Sequence, residues 1–386
     1  MNINRTFEFV CPTKIIFEVG GAERLGLKLT ALGWKNVFLV ADKGVVASGV
    51  VEKITSGFDE TGISCVIFSD FETNPTITSI IAGSKVFKEN KSDVLVGVGG
   101  GSSMDAAKAL AILATNSGPL QDYEGPNKIP NPVPPIIAIP TTAGTGAEVN
   151  GSSVLTDDER KYKLSIRSTY LYPTIALLDP SLLRSLPPKV IAATGMDALI
   201  HALESYISLG ASPITEQLAL ASIGSIADNI RLFYANPDNL EAAGNMLLAS
   251  TMAAMSFGNA RLGCIHALAH SLGGLYNLPH GVTCTVLLPH AMEHNLISDP
   301  DKFSKIASVM GENIVGLSRI DAAKHSISAV KKLISDLELP TQFRELSVRE
   351  EDVPQIVENA IKTGIHLTSP RNISSEGLES IIRASL

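Results

Sequence analysis

The 386-residue chain is 45% hydrophobic and 18% charged, and its 31 Lys and Arg against 39 Asp and Glu leave a formal net charge of −8. This composition excludes disordered and fibrous classes, and the length allows two or three domains with ample core. The acidic balance and the lack of any Lys/Arg run argue against a nucleic-acid partner, and no apolar run reaches bilayer-spanning length without polar interruption.

Residues 1–20 read as one or two strands carrying Phe7, Phe9, Ile15, Ile16 and Phe17, and 22–32 reads as a helix. Val37 to Ala41 is a continuous apolar run of strand length, the pattern of a strand covered on both faces. Asp42 ends it. A helix over 45–61, a strand over 64–68, a turn at Thr73-Asn74-Pro75, a helix over 76–90 and a strand over 94–98 follow. This alternation predicts a doubly wound, Rossmann-like parallel sheet.

Gly99-Gly100-Gly101-Ser102 stands between the last of these strands and an Ala-rich helix over 103–114. Glycines there let backbone N–H groups approach an anion, and the helix N-terminus adds partial positive charge. We read the loop as a pyrophosphate cradle. In the standard fingerprint the Gly loop follows the first strand and the acid comes later. Here Asp42 comes first. It can accept from a ribose 2′-hydroxyl and would repel a 2′-phosphate, favouring NAD over NADP, although an Asp at a strand end is also common without a ligand.

The next strand, Ile136 to Pro140, runs into Thr141-Thr142-Ala143-Gly144-Thr145, whose hydroxyls can donate to phosphate or ribose oxygens or else cap a helix. Residues 152–179 read as strands, with a hairpin through Thr156 to Glu159. Lys163 beyond it can reach a phosphate or simply face solvent. Proline punctuation between Pro180 and Pro188 marks a boundary. It separates an α/β dinucleotide-binding domain, 1–185, from an all-helical metal- and substrate-binding domain, 186–386. The expected helices are 190–209, 213–234, 239–257, 261–274, 282–294, 301–313, 319–336, 350–361 and 374–385. A cleft between the domains is the natural place for cofactor and substrate to meet.

The helical half carries the metal signal. Asp197 and His201 are four apart in an apolar helix, so they share a face. His266 and His270 repeat the spacing on a second helix, and His280 follows a short loop. A lone His on an apolar helix is usually a hydrogen-bonded core residue. Four of the eight His here fall in two short motifs, beside an Asp that a buried helix would rarely carry unpaired. Three imidazoles and a carboxylate suit one divalent ion, Fe²⁺ or Zn²⁺, with a position left open. The four cysteines, Cys11, Cys65, Cys264 and Cys284, show no CxxC spacing and read as reduced thiols in a cytoplasm.

Taken together, Gly99 to Asp105, Pro140 to Glu148, Gly195 to Glu204 and His266 to Gly281 resemble the iron-containing (group III) alcohol dehydrogenase family, in order and along essentially the whole chain. The resemblance implies a dehydroquinate-synthase-like fold and NAD(H)-linked interconversion of a small primary alcohol or diol and its aldehyde. By it, Asp197, His201, His266 and His280 are the metal ligands, with Fe²⁺ the usual ion and Zn²⁺ accepted in some relatives. His270 stands near the nicotinamide as a proton-transfer candidate. Asp42, Asn74, Gly99, Gly100, Gly101, Ser102, Thr141, Thr142, Thr145, Ser152 and Lys163 fall where the family contacts its nucleotide, and Phe257 lines the substrate pocket. A homodimer or larger homo-oligomer is expected.

The chain departs from the family near the substrate. Arg261 stands where relatives carry a small residue, and pairing with an anionic aldehyde such as sulfoacetaldehyde is the alternative it raises. A surface role is its plainer reading. Ile365 stands where a Cys is common, Ser369 where an Asn is common, and Ser152 where some diol-active relatives have Asn. A lyase on the same scaffold and a non-catalytic, filament-forming relative are the readings from other classes. The intact ligand set and Gly loop argue against both.

Overall fold

The structure is a computed structural model, which describes residues 6–71, 73–160 and 162–386. The chain falls into two compact units, one spanning Cys11–Ser185 and the other Leu186–Leu386 with the described residues up to Val10. The Asn259 side chain accepts from the Val10 N–H (2.7 Å) and donates to the Val10 carbonyl (3.1 Å), which joins the start of the chain to the helices.

The first unit runs β1 (Lys14–Phe17), α1 (Leu25–Ala31), β2 (Asn36–Val40), α2 (Lys43–Ala47), α3 (Val50–Thr55), α4 (Phe58–Thr61), β3 (Ser64–Phe68), α5 (Ile77–Asn90), β4 (Val94–Gly99) and α6 (Gly101–Thr115). It continues with β5 (Gly125–Pro126), β6 (Ile136–Pro140), β7 (Ser152–Asp157), β8 (Tyr162–Arg167) and β9 (Ile175–Leu178). The main sheet is parallel throughout, in the order β1-β9-β6-β4-β2-β3. β2 from its second residue, and β4 and β6 throughout, are buried, as their unbroken apolar runs require. Phe38 of β2 stacks on Phe68 of β3 and meets Phe87 of α5 edge-on, fixing α5 to the sheet.

The chain passes from β2 out to β3 and then returns to the other side of β2 as β4. Connections therefore diverge from the carboxyl ends of β2 and β4, where a crevice opens in folds of this kind. Residues 45–61 were expected as one helix. They form three short ones, because Gly49 (φ 78°) and Gly57 break the run. The expected strands over 1–20 reduce to Lys14–Phe17 among the described residues; residues 1–5 lie outside them.

The second unit runs α7 (Pro188–Ile207), α8 (Pro213–Ala235), α9 (Leu240–Ala260), α10 (Cys264–Tyr276), α11 (His280–Asn295), α12 (Pro300–Val309), α13 (Arg319–Asp336), α14 (Val353–Thr363) and α15 (Ser375–Ala384). α7, α8 and α9 pack on one another, and α11 packs on both α7 and α10. α7 is buried from Gly195 to Ile207, which explains its Ala-rich, apolar face. Among the described residues no helix is long and apolar enough to cross a membrane.

Candidate active site

Asp197 and His201 project from α7, His266 and His270 from α10, and His280 opens α11. Glycine at 281 permits the close approach of α11 to α7. A Cβ there would lie 2.1 Å from the Ala193 carbonyl oxygen, so any other residue would push His280 away from Asp197. Asp197 Oδ1 lies 3.9 Å from His266 Nε2 and 3.7 Å from His280 Nε2, and its Oδ2 lies 3.9 Å from His201 Nδ1. The His201 ring stacks between Phe257 (4.4 Å) and His266 (4.6 Å). His270 lies one ring away from His280, at 5.6 Å.

The electrostatics suit a cation. Asp197 is buried, which works against its charge, yet the imidazoles of His201, His280 and His266 hold its carboxyl below the usual range. Burial, with His201 and His280 beside it, drives His266 well below the usual imidazole range. Asp197 Oδ1 and His266 Nε2 are buried with no hydrogen-bond partner, a costly state that a shared divalent ion would relieve. Four ligands about 2.0–2.3 Å from a tetrahedral centre stand roughly 3.3–3.8 Å apart. The spacings around Asp197, 3.7–3.9 Å, lie at or just beyond the upper end of that range, and the chemistry of the donors fits a divalent metal.

A residue of no assigned role in the sequence reading orients this group. Glu204, three positions after His201 on α7, accepts from the Gly263 and Ile265 N–H groups at the start of α10 (2.9 and 2.8 Å). Its Oε2 lies 2.7 Å from His266 Nδ1. That bond fixes the tautomer that presents Nε2 to a metal. Burial outweighs these hydrogen bonds and pushes the Glu204 carboxyl up to about 7. The sequence signal was a carboxylate on a buried apolar helix, which needs such donors. Ser369 also has a place: its Oγ accepts from the Cys264 N–H (3.0 Å), tying the start of α10 to the segment after the short helix Ile365–Thr368. Ile365 lies half-buried on that short helix. The donor atoms of Asp197, His266, His280 and Cys284 all lie within 4.8 Å of one another, and sequence reasoning gave Cys284 no part.

Arg261 is exposed. It caps α9, its N–H donating to the Phe257 carbonyl, and α10 begins at Cys264 rather than at 261. That position does not favour the anionic-aldehyde reading.

In the α/β unit, β2, β4 and β6 are neighbours, so the turns at their carboxyl ends come together. Asp42 stands just past β2, Gly99 ends β4 with Gly100 to Ser102 leading into α6, and Thr141 to Thr145 lie just past β6. The Ser103 hydroxyl accepts from the Asp42 N–H (3.1 Å) and donates to its carboxylate (3.2 Å). Asp42 also caps α2 by accepting from the Val45 N–H. The Thr141 N–H donates to the Gly99 carbonyl (3.0 Å). Gly99 has φ 143°, and a Cβ on it would meet the Ser103 hydroxyl at 2.5 Å, so the turn requires glycine. Against Gly100 and Gly101 stand the side chains of Thr142 and Thr145. Ser102 donates to the Thr73 carbonyl, and Lys163 Nζ donates to Asn74 Oδ1 (2.7 Å) and the Thr156 hydroxyl (3.0 Å). Ser152 opens β7 beside Asn150.

Comparison with known proteins agrees across the whole length. Residues 12–180 match the family described as iron-containing alcohol dehydrogenase, and residues 191–386 match the C-terminal part of the Fe-containing alcohol dehydrogenase family. The 1,3-propanediol dehydrogenase of Klebsiella pneumoniae is 43% identical over 381 residues, 98% of each chain. The lactaldehyde reductase of Escherichia coli strain K12 is 37% identical over 348 residues, 90% of this chain and 91% of that one. A crystal structure of a 1,3-propanediol oxidoreductase superposes with a TM-score of 0.96 at 43% identity, covering 99% of this chain and 100% of that one. With both halves matched, the chain belongs to the iron-containing alcohol dehydrogenase family, enzymes that interconvert alcohols and aldehydes with NAD(H).

Proposed function

We propose that this enzyme acts on small, neutral primary alcohols or diols and their aldehydes, with Asp197, His201, His266 and His280 holding a divalent iron. The observation that carries the reading is the pair of buried, unpartnered donor atoms, Asp197 Oδ1 and His266 Nε2, 3.9 Å apart. The 43% identity to a 1,3-propanediol dehydrogenase supports a short alcohol or diol. A bound divalent ion supplies Lewis acidity at a substrate oxygen, and the nicotinamide gives or takes the hydride.

The remaining work falls to the chain. Glu204 holds His266 in the ligating tautomer. Phe257 covers the face of His201 and keeps water from it. His270, one ring from His280, takes or gives the proton of the alcohol oxygen. Backbone N–H groups of Gly99 to Ser102 and the start of α6 hold the pyrophosphate, with the hydroxyls of Thr141, Thr142 and Thr145 beside them. Asn74, Ser152 and Lys163 complete the nucleotide's surroundings. Asp42 carries the negative charge that selects NAD over NADP.

The enzyme works in the cytoplasm, in keeping with four unbridged thiols. It works as a homo-oligomer. β1 at the sheet edge and the residues after it leave Ile15, Phe17 and Val19 exposed, which supports association of copies.

The test is NADH oxidation by anaerobically prepared, Fe²⁺-loaded enzyme with propanal, lactaldehyde and sulfoacetaldehyde compared by kcat/KM. We expect both neutral aldehydes to exceed the sulfonate by at least roughly tenfold, the scale of one unmatched charge or pocket contact. A preference for the sulfonate would reassign Arg261 to substrate recognition and end the neutral-substrate reading.

A further inference from the structure

Resting on the site proposed above, we infer that Thr368 and Ser369 are positioning residues for it: they latch the corner between α9 and α10 and so set where Phe257 stands relative to His266. Phe257 stands in the last turn of α9 and covers His201 at 4.4 Å. His266 stands in the first turn of α10, on the other face of His201 at 4.6 Å. Between them the chain turns through Arg261 at φ 68° and ψ 174°. That strained conformation persists only where its surroundings over-determine it. The Arg261 N–H returns to the Phe257 carbonyl (2.7 Å), so a shift of the corner carries Phe257 with it.

The corner is held from segments far along the chain. The Ser208 hydroxyl donates to the Ala260 carbonyl (2.6 Å), and the Thr368 hydroxyl donates to the Leu262 carbonyl. Ser369 Oγ accepts from the Cys264 N–H (3.0 Å), between the two N–H groups that Glu204 takes. α10 therefore starts on Gly263, which has no side chain to cap it, and borrows its cap from Glu204 and Ser369. A Cβ at 263 would lie 2.9 Å from Glu204 Oε1 and 3.2 Å from Ser369 Oγ, so these side chains fill the place of a local one. The latch is itself anchored: the Leu209 N–H donates to the Thr368 carbonyl (2.9 Å), and Ser369 is buried. Glu204 and Ser208 belong to α7 and its end, the helix of Asp197 and His201. Thr368 and Ser369 come from a separate segment, so their bonds can be removed without touching that helix. A short aldehyde meets few pocket atoms and depends on the exact place of Phe257 more than a long one does.

The experiment compares the full-length enzyme with Thr368→Val and Ser369→Ala, and with Leu367→Ala as a control on the same segment, where the side chain is 70% exposed. Hydrogen exchange over residues 261–266, followed by mass spectrometry, reads the corner without any substrate. The wild-type amides of Gly263, Cys264 and Ile265 should be protected. Exchange should quicken roughly tenfold in Thr368→Val and Ser369→Ala, the scale of one lost buried hydrogen bond, and stay at the wild-type rate in Leu367→Ala. In the iron-loaded enzyme, Thr368→Val should raise the KM for propanal roughly tenfold at an unchanged kcat and leave the KM for hexanal as it was. Thr368→Ser, which keeps the hydroxyl, should restore propanal. An equal loss with both aldehydes would make Thr368 merely structural and overturn its positioning role. Unprotected wild-type amides at 263–265 would overturn the latch even where a variant does not fold. A wild type that turns over neither aldehyde would overturn the neutral-aldehyde reading, and the exchange rates would still decide the latch.

Discussion

Arg261 has φ 68° and ψ 174°, a backbone region that is nearly glycine-only. An L side chain there costs on the order of 1–3 kcal/mol, and glycine's greater freedom in the unfolded chain returns about 1 of that. Arg261→Gly should therefore raise stability by about 1 kcal/mol, read as a higher urea midpoint at an unchanged slope. If Arg261 plays no part in substrate recognition, the same variant keeps the wild-type order of preference among propanal, lactaldehyde and sulfoacetaldehyde. A stability loss would show that its side chain makes up for the strain. Glu204 shows the opposite case at this scale. Its charge on a buried helix looks unfavourable in isolation, and its hydrogen bonds to the start of α10 and to His266 give it a role. Neither residue could be placed from the sequence. Arg261 needed a backbone angle, and Glu204 needed its partners 59 to 62 residues away.

Among the elements, α6 does two jobs. Its N-terminus carries the Gly loop, and seven residues after Gly101 its Lys108, fully buried, donates to the carbonyls of Ala147, Asn150 and Ser152 and to Asn150 Oδ1, at 2.8–3.0 Å. Burial lowers the Lys108 ammonium to about 8, against the pull of the Asp105 and Glu148 carboxylates. These bonds tie the segment after the Thr turn to the helix behind the Gly loop. Lys108→Met strands several buried acceptors, at about 1–3 kcal/mol each. It should raise the KM for NADH about tenfold, equivalent to ~1.4 kcal/mol, while bound iron per chain stays at the wild-type level. Iron lost in step with NADH affinity would mean general unfolding rather than a loosened nucleotide segment. Most elements here were legible from apolar period and punctuation. β2, β4, α8 and α13 lie within a residue or two of expectation, because long buried runs and capped helices carry strong local signals. The stretch 45–61 was not, since glycines inside a helical pattern either tolerate or break it, and packing chooses.

For the whole molecule, the sheet edge is the feature with consequences. Among the described residues β1 pairs only with β9 in the main sheet, and Phe17 and Val19 are 45% and 48% exposed. An apolar edge of this kind invites pairing with another copy. Light scattering should give a mass of two or more chains, and Phe17→Lys should lower it, since a charge on the edge opposes association. A wild-type mass of one chain would sink the homo-oligomer. What the sequence determined by itself was the order of parts: an α/β half with a Gly-rich turn, a helical half with paired His and Asp, and the family to which those motifs belong. These are local patterns, set by periodicity, turn chemistry and spacing on one helix. The tertiary structure alone decided which residues meet. It brought Asp42, the Gly loop and the Thr turn onto adjacent strand ends, set Glu204 behind His266, and placed Cys284 among the donor atoms. Each of those meetings joins side chains from different elements or turns on packing across them, and spacing along the chain carries no record of such distances.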